Sequence, residues 1–154
     1  MVLPLGIAAG LALHLARLSR TKLLPDWRLT AWLCGAVLAA ALGHVWPLWH
    51  GFRGGKGVGT LLGGVAVLWP VALLPLFLVW VCVLVASGYV GLASIIATAC
   101  LLPLAVWLRA DVATQAFAAV AALLVLFTHR ANVQRLRAGT ESRFERVRFW
   151  RRRA

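Results

Sequence analysis

VGTLLGGVAVLWPVALLPLFLVWVCVLVASGYVGLASIIATACLLPLAVWL, residues 58 to 108, runs for 51 positions without an aspartate, glutamate, lysine, arginine or histidine. A soluble domain of 154 residues has no use for such a run. A helix crossing the roughly 30 Å hydrocarbon layer needs about 20 apolar residues, fewer where the bilayer adapts. Helices satisfy their own backbone groups in lipid. The expectation is therefore an all-α, polytopic integral membrane bundle forming one domain over residues 1–154.

Working outward, Pro70, the Ser87-Gly88 pair and Pro103 punctuate the run, giving segments over about 58–69, 71–86 and 89–108. The first is too short to cross alone, because twelve residues at about 1.5 Å each reach only roughly 18 Å. It reads as a helix starting inside the membrane boundary, or one merging with its neighbour. Upstream lie apolar segments over about 2–16 and 29–42, joined by the charged connection LSRTKLLPDWR, residues 18–28. The first has neither a basic leader region nor a small-residue cleavage site before Arg17, so it reads as a retained span. Downstream, 112–128 forms a last span, for five or six membrane segments in all.

The net charge of +12 would suggest nucleic acid in a soluble protein, but nine of the sixteen basic residues fall between Arg130 and Arg153, directly after an apolar segment. The positive-inside rule accounts for them without nucleic acid and places residues 129–154 in the cytoplasm beside anionic headgroups. Four crossings between the loop near residue 50 and this tail put both on one face, whereas a single tilted span over 58–86 would put them on opposite faces; the charge distribution favours the even count. That leaves eleven basic residues inside, against Arg17, Arg20, Lys22, Arg28 and Arg109 outside. Cys34, Cys82 and Cys100 are isolated and surrounded by apolar residues, which fits neither a disulfide framework nor a metal site.

Two polar stretches carry the chemistry. GHVWPLWHGFRGGKGVGT, residues 43–60, sets Arg53 and Lys56 among glycines. Glycines let an anion approach the chain, lysine supplies a point charge, and a following helix adds its partial positive end. A side chain at position 55 would occupy the anion's space. A Walker A loop is excluded, since it would need glycine at His50 and a hydroxyl residue at Gly57. His44 and His50 have no acidic or thiol neighbour to complete a metal shell, and the plain alternative for the loop is an interhelical turn with snorkelling cations. In FTHRANVQRLRAGTESRF, residues 127–144, His129, Asn132, Arg135 and Leu136 share one helical face. Histidine and asparagine there suit a hydroxyl or carbonyl, and Arg135 a phosphate, unless the segment is only a basic helix on lipid.

Together these stretches resemble two signatures of the bacterial acyl-phosphate:glycerol-3-phosphate acyltransferase family, PlsY, close to GHxxPxxxxFxGGKGVAT and HxxNxxRLxxGxE. YVGLASI, residues 89–95, is similar to the family's YxSLxSI. The resemblance implies helices two to seven of a seven-helix inner-membrane enzyme that moves a fatty acyl group from acyl phosphate to glycerol 3-phosphate for phospholipid synthesis. It implies glycerol-phosphate binding by Gly54, Gly55, Lys56, Gly57 and Thr60, a catalytic polar pair in His129 and Asn132, and a structural brace in Glu141. Arg53, Arg135 and His44 are candidates for added charge. No metal or other cofactor is implied, because acyl phosphate is already activated.

The family's first signature, close to GSGNxGATNxxR, has no counterpart, since Asn132 is the chain's one asparagine. The serine and arginine which that signature brings to the family's site would have to come from an upstream segment or a complementary chain. Otherwise the chain is a non-catalytic relative that binds a phosphate-bearing lipid or metabolite. Gly59 and Gly91 stand where the family usually has alanine and serine.

Overall fold

The computed structural model describes residues 27–144; the apolar segment 2–16, most of the connection after it and the tail beyond 144 lie outside these. Helix α1 covers Trp27–Val45, α2 Val58–Leu68, α3 Leu73–Ser87, α4 Val90–Ala99, α5 Leu101–Trp107, α6 Val112–Thr128 and α7 Arg130–Arg137, with 3-10 turns at Leu48–His50 and Pro70–Ala72. Among the described residues there is no strand, and the all-α membrane architecture stands. Three helical stretches are long and apolar enough to cross a membrane: Trp27–His50, Pro70–Ser87 and Val90–Trp107. Val112–Thr128 joins them if it is counted with α7, from which it is bent by 56°.

The local breaks have local causes. Gly88 closes α3 in the left-handed conformation, at φ 79°, and its N–H bonds the Leu84 carbonyl. Pro103 cannot donate to the carbonyl four residues back, at Ala99, and its ring crowds that group. The 89–108 segment accordingly divides into α4 and α5 at Cys100 while keeping one course. Asp111 caps α6, accepting from the Thr114 N–H at 3.0 Å. α2 stays short, with eleven residues, and ends at Trp69 before the Pro70 turn.

Lipid offers no hydrophobic drive between helices, so their association depends on close contact through small side chains. Ala41, Ala72, Ala93, Ala105, Ala118 and Ala121 are fully buried along the seams. α6 runs through the middle, packed on α1, α4 and α5; α2 packs along α1, and α3 along α4. Gly64 brings α2 so near α1 that a Cβ there would run into the Val37 side chain. α2 and α3 scarcely touch, and a cavity lies between them.

Candidate functional site

The site lies where the glycine loop, the α3–α4 turn and the start of the tail meet. Two contacts tie loop to tail: Lys56 Nζ donates to Asn132 Oδ1 at 2.6 Å, and Thr128 Oγ1 donates to the Lys56 carbonyl at 3.1 Å. These 72- and 76-residue separations place the loop and the tail at one end of the bundle.

The glycines serve the loop's own packing first. Gly54 N–H and Gly55 N–H donate to the Val45 and His44 carbonyls, each at 3.2 Å, and so satisfy the C-terminal end of α1. A Cβ at Gly54 would collide with those carbonyls, and one at Gly55 would meet the His44 ring at 2.5 Å. Space at position 55 is therefore reserved for histidine, not for an anion, and these two N–H groups are already engaged. The donors left for an anion come one turn later. Gly57 sits at φ 77° as the N-cap of α2 with no side-chain cap, and the helical ladder begins only at Leu61 N–H to the Gly57 carbonyl. The N–H groups of Val58, Gly59 and Thr60 precede that ladder, at the positive end of the helix dipole.

The tail folds back through LRAGTE. Gly139, at φ 70°, reverses the chain after α7, and Thr140 N–H returns to the Arg135 carbonyl at 2.9 Å. Glu141 then receives Asn132 Nδ2 at 2.5 Å on one oxygen and Arg135 Nε at 2.6 Å on the other. A lysine only donates and a carboxylate only accepts, so these two neighbours settle which way the Asn132 amide points. Burial works to raise the Glu141 pKa, but the hydrogen bonds from Asn132 and Arg135 and the nearby positive charges outweigh it and hold the carboxyl below its ordinary value. The segment beyond Glu141 straps onto the α3–α4 turn, with Arg143 Nε donating to Tyr89 Oη at 2.6 Å and Phe144 N–H to the Gly88 carbonyl at 2.8 Å.

His129, one residue past the end of the α6 span, is buried, and its Nδ1 lies 2.9 Å from the Val125 carbonyl. That partner requires the proton on Nδ1, which leaves Nε2 as an acceptor. Burial lowers the His129 pKa and the Lys56 charge lowers it further, against the opposing pull of the Val125 carbonyl and Glu141; the ring is neutral at pH 7.

Below these groups opens a cavity of about 710 Å³. His44, Lys56, Gly57, His129, Asn132 and Glu141 line it at the mouth, and mostly apolar side chains of α2, α3 and α4, with Leu101 of α5 and Ala121 of α6, line the part below. Of the residues singled out in the sequence, Gly54, Gly55, Thr60, Arg53 and Arg135 are not in the lining. Arg53 stays exposed, and Arg135 is engaged by Glu141. Sequence reasoning missed Gly59 and Ser142 at the mouth and the Trp80–Ser94 pair below it, where the indole N–H donates to Ser94 Oγ at 3.2 Å across α3 and α4. The serine of YVGLASI was the signal for that pair. Gly91 admits Asn132 to the face of α4: a Cβ there would meet Asn132 Nδ2 at 2.8 Å.

A family model described as glycerol-3-phosphate acyltransferase matches residues 2–139. A glycerol-3-phosphate acyltransferase of Bradyrhizobium sp. (strain ORS 278) is 44% identical over 109 residues, 70% of this chain and 54% of the relative. One of Sinorhizobium medicae (strain WSM419) is 43% identical over 108 residues, 70% of this chain and 53% of the relative. The chain thus spans about half the length of these curated relatives. Among solved structures, the glycerol 3-phosphate form of PlsY, an integral membrane glycerol 3-phosphate acyltransferase, superposes with a TM-score of 0.68 at 38% identity, covering 75% of this chain and 57% of that one. Its lysophosphatidic acid form gives 0.69 at 39%, covering 73% and 58%.

Proposed function

The chain belongs to the glycerol-3-phosphate acyltransferase family, and on that premise we propose that it transfers a fatty acyl group from acyl phosphate to glycerol 3-phosphate. A hydroxyl oxygen of glycerol 3-phosphate bonds to the acyl carbon, the bond from that carbon to the phosphate oxygen breaks, and the hydroxyl proton leaves with inorganic phosphate. The product is lysophosphatidic acid.

The observation that carries this reading is the polarity of one continuous cavity, polar at a mouth that holds the Lys56 ammonium and mostly apolar below. Lys56 and the uncapped start of α2 suit a phosphate, and a neutral His129 with Nε2 open suits a hydroxyl hydrogen. Asn132, with its amide direction set by Glu141, holds the Lys56 ammonium in place for the anion. Preorganised charge of this kind is worth most where water is excluded. The solved relative in its glycerol 3-phosphate form supports the acceptor, and acyl phosphate as donor comes from the family resemblance. The setting would be the bacterial inner membrane, with the loop and the basic tail at the cytoplasmic face.

Calorimetry in lipid nanodiscs tests the site. Glycerol 3-phosphate should bind the wild-type chain, and Lys56→Ala should weaken it by about 10–100-fold, the range for losing a charged hydrogen bond. Equal affinity in both would return the loop to a plain turn. Transfer of acyl from acyl phosphate, read as release of inorganic phosphate, should depend on glycerol 3-phosphate. It should fall in His129→Ala, which removes the group facing the hydroxyl.

A further inference from the structure

Below the mouth, the cavity follows α4 and α5 from Gly91, where Asn132 rests, to Leu101 at its far end. Ten positions at about 1.5 Å each give a depth of roughly 15 Å. Leu76 of α3 closes the same depth from the opposite wall. Leu101 is 2% exposed and so belongs to the packed interior, which makes it a floor and not a passage. Part-way down, six positions below Gly91 and so about 9 Å deep, α4 lines the cavity with the small side chains of Ala97 and Thr98, and the fully buried Ala121 of α6 is also in the lining. Side chains this small leave the bore open at the level where a larger one would plug it. On the lipid side the cavity is bordered by Leu62 and Phe77, more than half exposed at 54% and 60%. A chain can enter sideways between α2 and α3 and lie down the bore with its phosphate end at Lys56.

We propose that Ala97 and the Leu76–Leu101 floor set the length of the acyl chain this cavity accepts, favouring about twelve carbons. The inference rests on the acyl-transfer reading and adds its selectivity. An extended chain advances about 3.3–3.6 Å per three backbone bonds, close to 1.2 Å per bond, so 15 Å holds roughly twelve carbons and 9 Å roughly eight. Carbons beyond the floor must turn back towards the Leu62–Phe77 opening and lose their contacts with the wall. Because the alternative to the cavity is lipid, length is discriminated by fit and not by escape from water.

The test is a competition in nanodiscs with equimolar octyl, dodecyl and hexadecyl phosphate, bound species being counted by native mass spectrometry. Wild-type protein should hold dodecyl phosphate in excess. Ala97→Phe should lower the dodecyl-to-octyl ratio tenfold or more, and Leu76→Ala, which deepens the floor, should shift occupancy towards hexadecyl. The two variants move the ratio in opposite directions, so general unfolding cannot imitate the pair. Ratios unchanged in both, with glycerol 3-phosphate still bound by calorimetry, would overturn the length gauge and leave the acyltransferase reading standing. Failure of every alkyl phosphate to bind would overturn both.

Discussion

Helix α2 has two long sides that could hardly be treated more differently. Against α1 it is sealed, with Gly64 pressed on Val37; towards α3 it is nearly unpartnered, and Leu62 lies open. The contrast shows how a short helix becomes one wall of a binding cavity. Eleven residues reach only about 16 Å, too little to hold a position by spanning the bilayer. The tight seam fixes the helix, and this frees the loose one to admit a ligand. The loop above supports the seam, since Gly54 and Gly55 fasten it to the end of α1.

Gly54→Val should break the contrast most severely. Its Cβ would strike backbone carbonyls that cannot rotate away, and the cost should be on the order of 3 kcal/mol or more. Thermal unfolding in detergent should show it, with glycerol 3-phosphate binding lost in parallel. Gly64→Leu, on the sealed side, should destabilise by about 1–3 kcal/mol through overpacking against Val37. Leu62→Ala, two positions away on the open side, should stay within about 0.5 kcal/mol in the same assay. Equal costs at 62 and 64 would mean that the two sides are not distinct.

Gly91→Ser sharpens the picture at the mouth. The added Cβ pushes on Asn132, and a loss near 1 kcal/mol, roughly fivefold in glycerol 3-phosphate affinity, should appear with little change in unfolding temperature.

The smallest effect should come from acid. His129 and Glu141 both have pKa values below their ordinary ones, so the unfolded tail binds more protons than the folded one. The stability they contribute is whole above pH 6.5, starts to fall below it as the His129 share is lost, and falls further below 4.5 as Glu141 follows. The protection factor of the Phe144 amide, bonded to Gly88, which is its exchange rate taken relative to the intrinsic rate at each pH, should fall between pH 7.5 and 5.5, and His129→Gln should remove that fall.

Much of this was legible in the chain itself, because helix boundaries in lipid follow composition and punctuation. Pro70 and Gly88 ended helices where they stand, and the short 58–68 helix was recognisable by length alone. The break at Cys100 was not, since Pro103 acts on a carbonyl four residues earlier. In the site, Lys56, His129 and Asn132 were identifiable as polar residues in an apolar chain, and they do meet. The work of Gly54 and Gly55 was not identifiable, because glycine beside lysine looks the same whether it faces an anion or a neighbouring helix end. The partner of Arg135 was not legible for a related reason: sharing a helical face with Asn132 does not reveal that Gly139 turns the chain back and delivers Glu141 to it.

The contact between Lys56 and Asn132 also orders events in time. Seventy-six residues separate the two, and α3, α4, α5 and α6 must all be made and inserted between them. During synthesis α2 therefore waits beside α1 with its lysine unmatched, and the mouth is among the last features of the described bundle to be completed. A ribosome stalled before Asn132 would leave a nascent chain whose α1–α2 pair is already built and whose anion site does not yet exist.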